Sequence, residues 1–182
     1  MLNKKVLALL SFASFFCFAS CVTEDNSYIS YTVNDEIKID IPSSWKDRSK
    51  DEDSPYEALF VSQNNSVTTG VFIFYKGNSG QDFSSGEIFE RQIDRIISAA
   101  KPNSVISGRK TRQMPGKTVT DTVYSGVFNV SKYCYAFSLV EFDGRDDIFA
   151  VCVQICKPAL LEEYSLVLEK IADSVSLVEN HQ

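Results

Sequence analysis

Five cysteines, at positions 17, 21, 134, 152 and 156, and one histidine, His181, are the residues of this chain best suited to covalent or metal chemistry. A cysteine or serine nucleophile needs a base beside it, and His181 stands next to the C-terminus, where a chain end frays. No Gly-rich phosphate loop, Gly-x-Ser-x-Gly elbow or Cys-x-x-Cys pair occurs. The sequence therefore assigns no catalytic residue, no metal ligand and no cofactor. Cys152 and Cys156 share one extended run, where about 3.3 Å per residue sets their Cα atoms roughly 13 Å apart, past the ~7 Å limit for a disulfide. Cys134 is placed differently. If the turn about residues 143–147 pairs positions summing to 290, Ala136 faces Gln154 and Cys134 faces Cys156. That register puts three cysteines on one sheet face and gathers Phe149, Val151, Val153 and Ile155 with Tyr133, Tyr135, Phe137 and Leu139 on the other. Cys134 and Cys156 are then a candidate disulfide in an oxidising compartment, with buried free thiols under a helix as the alternative.

Acids crowd two places, Asp47, Asp51, Glu52, Asp53 and Glu57 in one segment and Asp143, Asp146 and Asp147 in a turn. Calcium takes roughly six to eight oxygens and favours a Gly at the bend of its loop. The first cluster lacks Gly and is interleaved with Lys46, Arg48 and Lys50; the second holds Gly144 but also Arg145. Solvated loop charge fits both better.

The two remaining cysteines belong to the N-terminus. Lys4 and Lys5 precede an apolar run over 6–18, and the small residues Ala19 and Ser20 stand directly before Cys21, the order of a secretory signal peptide. At 13 residues the run falls short of the about 20 that a spanning helix needs. The stretch Phe18-Ala19-Ser20-Cys21 resembles a bacterial lipobox, although Phe18 stands where Leu is usual. The resemblance implies that 1–20 is removed, Cys17 with it, and that Cys21 carries a thioether-linked diacylglycerol and an N-terminal acyl chain. The place this implies is the cell envelope, lipid-anchored at the periplasmic face of an outer membrane or at the cell surface; ordinary secretion is the alternative. Residues 21–27 read as a polar tether. Losing 1–20 removes two lysines and no acid, which leaves 162 residues with 24 acids, 16 bases and a formal charge of −8. That is one domain's length, and the acidic balance argues against nucleic acid as a partner.

Residues 28–33 and 36–41 alternate as a hairpin about Asn34-Asp35, which Pro42 ends before a turn at Ser43-Ser44-Trp45 plants the only tryptophan. A charged loop over 46–57 leads to a second hairpin, 58–63 with 67–75, in which Val71, Phe72, Ile73 and Phe74 are consecutive and require cover on both faces. Ser84 and Glu87 have capping-box spacing, and Phe89, Ile93, Ile96, Ile97 and Ala100 recur helically until Pro102. Four extended segments follow, 105–114, 118–128, 132–142 and 148–156. Pro158 then opens a helix whose stripe is Leu160, Leu161, Tyr164, Val167, Leu168 and Ile171. Short turns make the strands antiparallel. The expected fold is α+β, a single antiparallel β-sheet flanked by helices as an α/β/α sandwich, over 28–177 with a tail at 178–182.

Charge is uneven along this frame. Residues 95–120 hold six bases, Arg95, Lys101, Arg109, Lys110, Arg112 and Lys117, and no acid. Arg109, Lys110, Arg112 and Lys117 cluster about the Pro115-Gly116 turn. They are a candidate docking patch for an acidic partner or anionic lipid headgroups, the alternative being protection of an exposed sheet edge.

The run "IKIDIPSSW", an aromatic-rich hairpin, one amphipathic helix, a meander of long strands and the closing "EEYSLVLEKIADSV" together resemble the PsbP-like superfamily. That superfamily includes the extrinsic P protein of photosystem II, a nuclear-import factor that binds the GTPase Ran, and many small bacterial lipoproteins. The resemblance implies a non-enzymatic binding or assembly module whose partner is an unidentified envelope protein. A carrier with a small apolar ligand between sheet and helix is the alternative, and the aromatic density over 71–75 permits it.

Overall fold

The structure, a computed structural model, describes residues 27–50, 57–62, 65–76, 83–101 and 103–178. The expected signal segment, Cys21, all of the expected tether but Ser27, the acids Asp51, Glu52 and Asp53, and His181 lie outside the described residues.

Asn34 and Asp35 take left-handed φ of 52° and 59°, and the N–H of Glu36 donates to the carbonyl of Val33 at 3.2 Å. This turn folds β1 (Tyr28–Val33) onto β2 (Ile37–Pro42) as an antiparallel pair. Ile37, Ile39 and Ile41 are fully buried on one side of β2. Pro42, with no N–H to give, ends it, and the N–H of Trp45 reaches back to the Pro42 carbonyl at 2.9 Å, burying the indole. Two residues of the expected charged loop form the short β3 (Lys46–Asp47).

Next come β4 (Ala58–Val61), β5 (Val67–Tyr75), α1 (Ser85–Ile97), β6 (Asn103–Met114), β7 (Lys117–Phe128), β8 (Ser131–Phe142), β9 (Arg145–Cys156), α2 (Pro158–Ser174) and β10 (Ser176–Leu177). Strands β3 to β9 make one seven-stranded antiparallel sheet in the order β3-β4-β5-β9-β8-β7-β6. The two strands with unbroken apolar runs, β5 and β9, are neighbours in its middle, as burial on both faces requires. Ala136 pairs with Gln154 and Cys134 with Cys156, the register that segregated the faces in the sequence.

The expectation of a single sheet is corrected. The strands β1 and β2 belong to a second, three-stranded sheet completed by β10, which the chain adds after α2, with the N–H of Val178 donating to the Glu36 carbonyl at 2.7 Å. The physical reason is twofold: Pro42 and the Trp45 turn break the path from β2 into the main sheet, and β10 is two residues long, too short to show a period.

Helix α1 covers one face of the main sheet with Phe89, Ile93 and Ile97 against Phe72, Phe137, Leu139, Phe149 and Val151. Helix α2 and the small sheet together cover the other, where Tyr164, Leu168 and Ile171 meet Val140, Ala150, Cys152 and the β2 isoleucines. Gly126 in β7 is needed for this arrangement. A Cβ there would lie 2.7 Å from the Ala100 Cβ and 2.8 Å from its carbonyl oxygen, so only glycine lets the turn that follows α1 rest on the strand.

Candidate functional site

The basic cluster lies on and beside β6, which is an edge strand exposed along almost its whole length. Its pairing with β7 slips twice, between Val105 and Ser107 and between Ser107 and Lys110. Bulges and bases on an edge both discourage unwanted strand addition, so the setting that edge protection requires is present.

Side chains alternate along a strand, and the four bases divide accordingly. Arg109 points to the α1 side, where it pairs with Glu90 and holds its guanidinium 5.9 Å from the centre of the Phe89 ring. Arg112 points to the α2 side. Its Nε and NH2 donate to Asp121 at 3.1 and 2.7 Å, and NH1 donates to Glu169 at 2.8 Å and Asp173 at 2.9 Å. Ser138 donates to the second oxygen of Asp121 at 2.6 Å. Lys117, only 6% exposed, donates its ammonium to the carbonyls of Asp173 and Val175, the C-terminal carbonyls of α2. Lys110 has no such partner among the described residues. The four bases therefore do not share one surface: two fasten α2, one fastens α1, and Lys110 remains to meet solvent or a ligand.

Burial works against the charge on this network. It pushes Lys117 below its ordinary range, opposed by Asp173, and pushes the Asp173 carboxyl up, opposed by Arg112. For Arg112 burial acts downward too, but Asp121 and Asp173 outweigh it and hold the guanidinium more firmly charged than usual. The acids escaped the sequence reading because they come from β7 and from α2, away from Arg112 along the chain. The one available signal was the spacing of four between Glu169 and Asp173, which puts both on one helix face.

A cavity of about 370 Å³ opens between the β6–β8 strands and α2. Its apolar walls come from Ile106, Val123, Ala136, Leu161 and Leu168, with Arg112, Asp121 and Glu169 at one end and Lys110 on its rim. Gln154, buried beneath α2, donates to the Leu168 carbonyl at 3.0 Å and pins the helix on the cavity's far side. The aromatics over 71–75, offered in the sequence as pocket walls, do not line it. Phe72 and Phe74 lie on the α1 face, where Phe74 stacks on Phe149 at 5.2 Å.

Cys134, Cys152 and Cys156 are buried free thiols beneath α2 and the small sheet. Burial pushes Cys152 to about 12 and Cys156 to about 11, and raises Cys134, so all three are poor nucleophiles. Cys134 stands directly across from Cys156, and opposed residues of an antiparallel pair lie ~4.5 to 5.5 Å apart at Cα, within the reach of a disulfide. Among the described residues no group of His, Cys, Asp and Glu is disposed to hold a metal, and no helix is long and apolar enough to cross a membrane.

No protein-family model and no curated protein matches the chain. Solved structures do. Cyanobacterial PsbP (CyanoP) of Synechocystis superposes with a TM-score of 0.62 at 13% identity over 84% of this chain and 93% of that one. The Ran-binding protein Mog1p of Saccharomyces cerevisiae gives 0.60 at 11% identity over 84% and 96%. LpqN of Mycobacterium tuberculosis, described as involved in cell envelope biogenesis, gives 0.57 at 10% identity over 78% and 83%. The chain is similar to these in fold, which is PsbP-like.

Proposed function

We propose that this chain is a lipid-anchored lipoprotein of the bacterial cell envelope whose PsbP-like domain is a non-catalytic binding or assembly module. The observation that carries the reading is the fold, shared with a protein described as Ran-binding and with one described as involved in envelope biogenesis. The Phe18-Ala19-Ser20-Cys21 stretch supports the anchor, because the first strand begins at Tyr28, seven residues after Cys21. The partner is an envelope protein. Replacement Cys21→Ser should abolish incorporation of labelled fatty acid and release the domain from membranes; continued labelling would overturn the anchor. Cross-linking in cells followed by mass spectrometry should return a recurrent envelope protein.

A second reading has its own observation. The cavity between sheet and α2 falls within the ~300 to 1,000 Å³ of small-molecule sites, and its walls are largely apolar, as a carrier of a small apolar ligand would need. Native mass spectrometry of the purified protein separates the two: a retained ligand, lost on Ala136→Trp, favours the carrier.

A further inference from the structure

The main sheet is polarised along its strands. Asn103 pairs with Gly126, Phe128 with Ser131 and Cys134 with Cys156, so the α1–β6, β7–β8 and β9–α2 connections gather at one end. Lys101, Lys132 and Lys157 lie in or beside these connections, and residues 95–120, 122–140 and 148–161 contain no acid. The nearest acids along α2 are Glu162 and Glu163. The other end carries Glu141, Asp143, Asp146 and Asp147 together with Lys76, Lys117 and Arg145, of which Lys76 pairs with Asp146 and Arg145 with Asp147.

At the first end, Asp47 of the far edge strand β3 is the acid reached by the strand pairing. At the tip of this end the β7–β8 hairpin turns through Asn129 and Val130, with φ of 45° and 61°. A two-residue turn with both φ positive favours Asn-Gly, and a β-branched side chain in that region is strained. Here the strained residue is a valine 99% exposed, beside a phenylalanine 46% exposed, so neither the turn nor the core accounts for it. Backbone strain of this kind clusters at functional sites. The chain also enters the domain on this side. The N–H of Ser43 donates to the Ser27 carbonyl at 3.0 Å, and from Lys46 the pairing runs through Val61 and Thr68 to Ile155, near the end of β9. Six residues from Cys21 to Ser27 span at most about 20 Å.

We propose that Phe128 and Val130, flanked by Lys132 and by Lys157, whose ammonium sits 3.9 Å over the Tyr133 ring, form a second membrane contact. The apolar side chains enter the headgroup region and the lysines meet anionic lipid phosphates. This rests on the lipid-anchor reading, which brings the tip within reach of a bilayer and fixes which end faces it.

The test uses the acylated protein, extracted from membranes and reconstituted in phosphatidylethanolamine vesicles containing phosphatidylglycerol. The reporter variant Phe128→Trp should emit at shorter wavelength in vesicles than in detergent-free buffer and be quenched by lipids with brominated acyl chains, while Asp146→Trp at the opposite end should not. Adding Val130→Gly, which suits the turn and so preserves folding, should cut the vesicle affinity of the tip by about tenfold and its quenching with it. Acyl labelling at Cys21 combined with a Phe128→Trp reporter that is unquenched, or no more quenched than the Asp146→Trp one, overturns the contact and leaves the anchor standing, as would a protein partner occupying the tip. Quenching of the Phe128→Trp reporter without acyl labelling supports the contact and removes the anchor.

Discussion

Helix α1 begins at a capping box, with the N–H of Ser84 donating to Glu87 at 2.8 Å and that of Glu87 to the Ser84 hydroxyl at 3.3 Å, and it packs an apolar stripe onto the sheet. Helix α2 begins at Lys157 without a side-chain cap and has no base in its last turn. Its carbonyls are instead met from below, by Lys117 at the C-terminus and by Gln154 at Leu168, and its acids are gathered by Arg112. The first helix carries its start signal and apolar stripe within itself, with Arg109 of β6 adding a pair to Glu90. The second depends on side chains delivered by β6, β7 and β9, and this makes it the element that a change in the edge ribbon can loosen.

If that contrast is right, the largest loss belongs to Lys117→Met. It strands two terminal carbonyls and leaves Asp173 short of a neighbouring cation, for a cost of about 3 kcal/mol in urea unfolding. Arg112→Met should cost about 2 kcal/mol near neutral pH, less than a fully buried pair because Arg112 is partly exposed. The pH dependence has a defined sign. Without Arg112 the Asp173 carboxyl, already raised by burial, rises further above its unfolded value and so binds more protons folded than unfolded. Stability of the variant then falls as pH rises through that window, and the gap from the native protein narrows on acidification. Ser84→Ala removes a local cap and should cost about 1 kcal/mol, with α1 fraying at its first turn by amide exchange. A loss at Ser84 exceeding that at Lys117 would break the contrast. The smallest expected effect is none. The buried thiols should resist alkylation in the folded protein and all three should react after denaturation without reductant, whereas labelling of Cys152 alone would reveal the Cys134–Cys156 bridge.

What could be read in advance follows the same division. Elements whose signals are local were legible: the Asn34-Asp35 turn, the Ser84 cap, the period of α1 and the Pro158 start of α2. The face segregation of β8 on β9 was legible too, because an even sum such as 290 keeps Phe137 and Val151 on the face opposite Cys134 and Cys152, whereas a slip of one residue would mix them. The fastenings of α2 were not. Asp121, Glu169 and Asp173 are 9, 57 and 61 residues from Arg112, and a helical pattern records which face is apolar but not which base will meet it. For the same reason the four bases about Pro115-Gly116 read as one patch in sequence, when strand alternation and distant acids divide them.

The two-residue strand β10 has a consequence for the order in which the molecule can be finished. The first hairpin in the chain waits for the last strand: β1 and β2 are available early, yet the neighbour of β2 is supplied by Ser176 and Leu177, and the helix over Ile37, Ile39 and Ile41 ends only just before them. A chain released from its N-terminus onward would hold those isoleucines uncovered until residue 177 had emerged. A chain stopped before residue 176 should therefore stay more susceptible to proteolysis within β1 and β2 than the full chain.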